Sequence, residues 1–268
     1  MAAGIRIALL GAGRMGEAVL SGLITAGHDP DAIAVSERVP ALAQQVAERY
    51  RVTVMPAAEA VADADVVVVV VKPNDVPGLL REIGHHLRPG AVVLSLAVGL
   101  TTQSLAAHLP VGTPLVRVMP NTPALVGAGM SVLSPAAGTT EEALAVARSV
   151  MAAVGEVRQI PESLQDAATA VHGSGPAYFF HVVEAMVDAA VMLGLPRALA
   201  HDLAVQTIVG AGQMLVQTGQ PPGALREQVT SPGGTTAAAL YELDAAAVRA
   251  AFARAMRACR DRAAELGT

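Results

Sequence analysis

Ile5-Arg6-Ile7-Ala8-Leu9-Leu10-Gly11-Ala12-Gly13-Arg14-Met15-Gly16 decides how the first half of this chain folds. A lone GxGxxG spacing carries little weight. Here it follows an apolar strand pattern directly and opens a helix with apolar residues at helical spacing, and that context makes it a dinucleotide-binding fingerprint. Gly11 makes the tight turn, Gly13 lets the backbone approach a pyrophosphate, and Gly16 lets the helix lie close to the sheet. Arg14 and Met15, between the last two glycines, belong to the same expected cofactor contact.

Outward from this stretch, short apolar runs alternate with helical patterns as far as residue 160. Strands are expected near 5–10, 33–36, 52–54, 66–71, 92–96, 115–119, 130–133 and 156–159. The intervening helices fall near 15–26, 40–50, 74–87, 102–108 and 141–153. The six valines of 66–71 are far short of the roughly 18 apolar residues of a membrane helix and suit a strand buried on both faces. The alternation implies an α/β fold, a doubly wound Rossmann sheet with right-handed crossovers.

After Pro161 the strand signal stops. The rest reads as helices divided at 173–176, 194–196, 219–223 and 231–234, an all-helical C-terminal dimerisation domain. The expected domains are 1–161, dinucleotide-binding, and 162–268, substrate-binding. About a hundred residues of Ala-rich helix bury little surface alone, so the second domain is expected to pack against another subunit. The segment 177–195 reads as a helix with a polar stripe of His181, Glu184 and Asp188. That stripe is expected to face solvent or a partner rather than form a catalytic acid pair.

A net charge of -5, 18 Lys+Arg, no Trp and 2% aromatics leave no basic stripe or stacking platform, so no nucleic-acid partner is expected. The single cysteine, Cys259, precludes an intramolecular disulfide or multi-thiolate metal site and fits a reducing compartment. His28, His85, His86, His108 and His201 are scattered without metal-ligand spacing, so no metal is expected. Met1-Ala2-Ala3-Gly4 runs straight into the first strand without a secretory signal pattern, so cytoplasmic residence and no membrane association are expected.

In a doubly wound sheet, ligands bind beyond the carboxyl ends of the strands. Ser36-Glu37-Arg38 ends the second strand and gives conflicting signals. Glu37 could bond a ribose 2′-hydroxyl and favour NAD, whereas Ser36 and Arg38 could bind a 2′-phosphate. NADP is the favoured cofactor, with NAD left open by Glu37. Val71-Lys72-Pro73 ends the fourth strand, and Lys72 is either a cofactor contact or a solvated charge. The segments 95–99, with Ala97, and Met119-Pro120-Asn121 end the next two strands. Both could line the nicotinamide pocket or be simple turns.

A second small-residue loop, Ser231-Pro232-Gly233-Gly234-Thr235-Thr236, opens a helix near Thr235. Bare backbone N–H groups there, with the positive end of the helix dipole, suit a carboxylate. The bland alternative is a Pro-Gly turn followed by a threonine N-cap.

With these motifs in order, the chain resembles the pyrroline-5-carboxylate reductase family over essentially its whole length. The resemblance rests on GAGRMG at 11–16, VKP at 71–73, MPNTPALVGAG at 119–129, GSGPAY at 173–178 and EQVTSPGGTT at 227–236. It implies NAD(P)H-dependent reduction of 1-pyrroline-5-carboxylate to L-proline, the last step of proline biosynthesis. Ser231, Gly234 and Thr235 would hold the substrate carboxylate and Thr236 would hydrogen-bond the imine nitrogen. The resemblance also implies a homodimer whose helical domain completes the active site, with further assembly into a decamer of dimers left open. Two positions depart from the family pattern. His172 stands where serine is common, and Leu243-Asp244-Ala245-Ala246-Ala247 lacks the usual glycine. His172 is expected to be buried or bonded to backbone more readily than to meet substrate.

Three rival readings compete. A hydroxyacid dehydrogenase of the 3-hydroxyisobutyrate type needs a lysine in its C-terminal part, and no lysine follows Lys72. An imine reductase acting on another cyclic imine would use the same loop. A non-catalytic NADP-binding sensor would need neither SPGG nor Thr236.

Overall fold

The computed structural model describes residues 4–266. Eight strands form one sheet: β1 Ile7–Leu10, β2 Ile33–Ser36, β3 Thr53–Val54, β4 Val66–Val69, β5 Val92–Ser95, β6 Leu115–Met119, β7 Gly129–Pro135 and β8 Gly155–Gln159. Their spatial order is β3-β2-β1-β4-β5-β6-β7-β8, and every neighbouring pair is parallel except β6 with β7. The helices of this region are α1 Arg14–Thr25, α2 Pro40–Tyr50, α3 Ala57–Ala62, α4 Val76–Gly84, α5 Thr102–Ala106, α6 Glu141–Ala152 and α7 Gln165–Ala168.

Alternation along the central strands divides the interior into two cores. Ile7, Leu9, Val66 and Val68 pack with Leu20 and Leu23 of α1 and Val150 of α6. Ala8, Leu10, Val67 and Val69 point the other way, among Val61 of α3 and Leu80 and Ile83 of α4. Both faces are therefore covered, which is why β4 reads as an unbroken valine run.

Several boundaries differ from those expected. β4 stops at Val69 rather than reaching 71, because the chain turns into Pro73. The residue before a proline is held extended, and Lys72 has φ -61 and ψ 146. A 3-10 turn at Pro73–Asp75 then precedes α4. α3 is six residues long, too short to leave a helical periodicity in the sequence. β6 and β7 are joined by a 3-10 turn at Thr122–Val126. That link is too short for a crossover helix, so the chain reverses and pairs antiparallel.

By packing, the first unit extends through Ser174 and takes back the chain from Cys259 onward; the second is Gly175–Ala258. The first unit thus continues past residue 161, where the strands end. Polar bonds hold this extension: Gln165 Nε2 donates to the Val132 carbonyl at 3.2 Å and to Ser134 Oγ at 2.9 Å. A π-helical turn at Thr169–Gly173 completes it.

The second unit contains α8 Gly175–Met192, α9 Arg197–Thr218, α10 Pro222–Gln228, α11 Thr235–Ala245 and the first part of α12 Val248–Leu266. Its buried core is small, Val187, Ala200 and Ala204. Phe179 and Phe180 are 60% and 68% exposed, and Met192, Leu193 and Val216 are bare. An apolar surface on this scale fits a subunit interface. No helix among the described residues is long and apolar enough to cross a membrane.

Candidate active site

The glycine loop between β1 and α1 is built by three different constraints. Gly11 has φ +103, and a Cβ there would meet Val70 carbonyl atoms at 3.0 Å, so a side chain is barred by both conformation and space. A Cβ on Gly16 would lie 2.0 Å from the Gly11 oxygen; the helix passes too close to the turn for one. Gly13 is the opposite case, with nothing within 4 Å of an added Cβ. It is exposed and is the N-cap of α1 without any side-chain cap. The first-turn donors therefore open onto free space at the positive end of a helix, a fit for a pyrophosphate. Arg14 is exposed and Met15 half-buried beside them.

At the end of β2, Glu37 turns into the loop. Its carboxylate accepts from the Ala12 N–H at 2.8 Å and from the Val39 N–H at 2.9 Å. Arg38 points elsewhere, 78% exposed and paired with Asp75 at 2.7 Å. Asp75 lies in the turn that follows Val71-Lys72-Pro73, so the ends of β2 and β4 are linked across the carboxyl edge of the sheet. Lys72 and Pro73 are exposed at the same edge, and Val71 and Ser36 are half-buried.

Past the end of β5, Ala97 is buried and the chain turns at Gly99, φ +85. At the end of β6, Asn121 has its side chain engaged at both ends. Its Oδ1 accepts from the Met130 N–H at 2.8 Å and its Nδ2 donates to the His172 carbonyl at 3.0 Å. His172 is bonded to backbone through both ring nitrogens, as expected from its sequence position.

The second small-residue loop lies in the helical unit. Gly234, not a threonine, is the N-cap of α11, and no side chain caps it. Gly233 has φ +67, and a Cβ on Gly234 would lie 2.4 Å from Ser231 Oγ. The loop thus folds so that the Ser231 hydroxyl sits against the helix start. Ser231 and Thr235 are exposed and Thr236 is half-buried. An uncapped helix N-terminus with an adjoining hydroxyl can bind a carboxylate.

On α8, His181 Nδ1 lies 3.7 Å from Glu184, and Asp188 pairs with Arg197 at 2.9 Å, all well exposed. Asp188 is thus in a surface ion pair, and Glu184 and Asp188 have different partners. Among the described residues no group of three metal-ligating side chains exists.

One polar cluster had no sequence motif. Arg117, nearly buried on β6, pairs with Glu162 at 3.2 Å and Asp166 at 3.6 Å. Glu162 also accepts from the Thr102 N–H at 2.7 Å and its hydroxyl at 2.6 Å. Burial pushes the Glu162 carboxyl up, but the Thr102 and Arg117 bonds outweigh it and hold it below its ordinary value.

Residues 162–266 match the family described as pyrroline-5-carboxylate reductase dimerisation, and residues 6–99 one described as NADP oxidoreductase, coenzyme F420-dependent. The pyrroline-5-carboxylate reductase of Corynebacterium melassecola is 44% identical over 265 residues, covering 97% of this chain and 98% of the relative. A solved pyrroline-5-carboxylate reductase from Coxiella burnetii superposes with a TM-score of 0.94 at 36% identity, over 98% of this chain and 99% of that one. Pyrroline carboxylate reductase of Plasmodium falciparum, solved with NADP bound, gives 0.88 at 28% identity over 99% of each chain.

Proposed function

The chain belongs to the pyrroline-5-carboxylate reductase family, and on that premise we propose which of its residues carry the reduction of 1-pyrroline-5-carboxylate to L-proline. That reaction, the last step of proline biosynthesis, takes its hydride from NAD(P)H. The uncapped start of α11 beside Ser231 Oγ is the observation that carries the assignment. The Ser231 hydroxyl and the Thr235 N–H bind the substrate carboxylate, and the helix dipole adds to their field; Gly234 lines the site, but its own N–H is taken by the Ser231 carbonyl at 3.0 Å. Thr236 Oγ1 accepts a hydrogen bond from the nitrogen of the protonated imine and fixes its orientation.

When bound, the reduced nicotinamide supplies a hydride to the imine carbon. The C=N π pair moves to nitrogen, which already carries its proton, and the product is a secondary amine. A threonine hydroxyl is a poor acid, so the substrate enters protonated and Thr236 positions rather than donates.

Gly13, Arg14 and Met15 would hold the pyrophosphate at the open helix start, in a turn shaped by Gly11, whose N–H donates to the Ser36 carbonyl, and by Gly16. Val71, Lys72, Pro73, Ala97 and Asn121 would line the carboxyl edge for the rest of the cofactor. NADPH is the preferred reductant: Ser36 and Arg38 would contact its 2′-phosphate once Arg38 leaves Asp75. The exposed Arg38 and the NADP-bound Plasmodium relative support this. Glu37 is already bonded by two backbone N–H groups and is the feature that lets NADH compete. The protein acts as a homo-oligomer, consistent with the dimerisation match and the bare apolar faces of the helical unit. One cysteine, Cys259, suits a reducing cytoplasm.

The test is steady-state oxidation of NADPH and of NADH by the purified protein with pyrroline-5-carboxylate. Turnover with NADPH faster than with NADH is expected at matched concentrations. A folded protein that binds cofactor but turns over neither would overturn the assignment.

A further inference from the structure

His172 joins three main-chain segments. Its Nδ1 lies 2.6 Å from the Ala168 carbonyl oxygen and its Nε2 2.9 Å from that of Met119. A carbonyl oxygen only accepts, so whichever ring nitrogen carries a hydrogen donates to the carbonyl it faces. His172 also lends its own carbonyl to Asn121 Nδ2, and Asn121 Oδ1 accepts from the Met130 N–H. Met119 is the last residue of β6, Asn121 the N-cap of the turn after it, and Met130 lies in β7. Ala168 and His172 flank and occupy the π-helical turn, a distortion often found at functional sites.

The neighbouring glycine shows how tightly the turn meets the strand end. A Cβ on Gly173 would lie 3.0 Å from Met119 Cε and 3.1 Å from Thr169 Cγ2. The loop at the carboxyl end of β6 thus has little freedom while the His172 and Asn121 bonds are made.

We propose that His172 is a positioning residue for hydride transfer. Its ring, held between the Ala168 and Met119 carbonyls, fixes the Met119–Asn121 loop with the Asn121 bridge at the edge of the sheet that receives the nicotinamide. The inference rests on the assignment of that edge to the cofactor. It concerns placement, not affinity, because the pyrophosphate and adenosine are held on β1 and β2. A small misplacement at the reacting end slows the chemical step steeply while leaving those contacts intact.

Three variants read this in one set of measurements: His172→Phe keeps the ring volume without donors, His172→Gln restores an amide donor, and Asn121→Ala removes the bridge. The expected result for His172→Phe is single-turnover oxidation of bound NADPH about tenfold slower, with the Kd for NADPH within about twofold. His172→Gln should recover a large part of the rate. An unchanged rate in His172→Phe overturns the inference, and so does a rate that falls only in step with NADPH affinity and thermal stability. If Asn121→Ala is also without effect, the edge assignment fails as well, whereas an Asn121 effect without a His172 effect overturns the histidine alone. Should His172→Phe not fold, nitrogen-15 NMR of the histidine-labelled wild-type protein decides. A hydrogen on His172 Nε2, the nitrogen that faces Met119, identified by the loss of its signal in His172→Gln, supports the inference, and a bare Nε2 overturns it.

Discussion

Glu37 accepts a hydrogen bond from the Ala12 N–H at 2.8 Å, so the acidic residue after β2 points into the glycine loop while its neighbour Arg38 reaches outward to Asp75. The two residues that compete over the cofactor in the sequence therefore occupy different positions in space. Arg38 has to leave Asp75 to meet a 2′-phosphate, and an exposed ion pair of this kind is weak, with an expected strength of about 1 kcal/mol or less.

Cofactor choice should follow from that geometry. Arg38→Ala is expected to raise the Kd for NADPH about tenfold, the loss of one charge-assisted bond at an exposed site, and to leave NADH within about twofold. Fluorescence titration of each cofactor checks this. Equal losses for both would assign the selectivity to Glu37 and NAD.

On the proposed assignment, substrate anchoring is separable from the cofactor. Ser231→Ala removes a hydroxyl that sits against the start of α11, and the expected result is a KM for pyrroline-5-carboxylate raised about tenfold. Kd for NADPH should not move. A KM within error of the wild type would leave the carboxylate to the backbone donors alone.

Acid should weaken the protein partly through Glu162. Its carboxyl is held below its ordinary value of 4.5, so its contribution is fully present above about that pH. The contribution is lost as pH falls through the lower folded value. Glu162→Gln should cost about 1 kcal/mol at about pH 7, a modest figure because the side chain is partly exposed. The difference should shrink as pH falls through the folded value. Urea midpoints along an acid series measure both.

Ala247 has φ +54 between α11 and α12, a left-handed conformation that favours glycine. Non-glycine residues lose about 1–2 kcal/mol there, and glycine returns about 0.4–1 kcal/mol through the freer unfolded chain. Ala247→Gly is thus expected to stabilise the protein by about 0.5–1 kcal/mol, read as a higher urea midpoint at fixed protein concentration. A lower midpoint would mean the turn tolerates alanine without strain.

These outcomes show where the sequence was legible. The valine run of β4 and the glycines of the loop report local constraints, so their positions and burial could be read directly. The start of α11 was also readable, because SPGG announces a helix entry. The reversal at β6–β7 was not, since parallel and antiparallel strands carry the same apolar pattern and only the short link distinguishes them. Nor could spacing reveal that Arg117 meets Glu162, that Arg38 meets Asp75, or that His172 spans Ala168 and Met119. Those partners are set by tertiary placement, and no periodicity records them.

On the proposed assignment, the Thr235–Thr236 helix start orients the imine for hydride transfer. The most direct measurement is single-turnover NADPH oxidation by Thr236→Ala at saturating pyrroline-5-carboxylate, beside its Kd for NADPH. The account predicts a hydride-transfer rate lower by about ten- to a hundredfold with cofactor affinity unchanged. A rate equal to that of the wild type would contradict it and reduce Thr236 to an ordinary first-turn residue of α11.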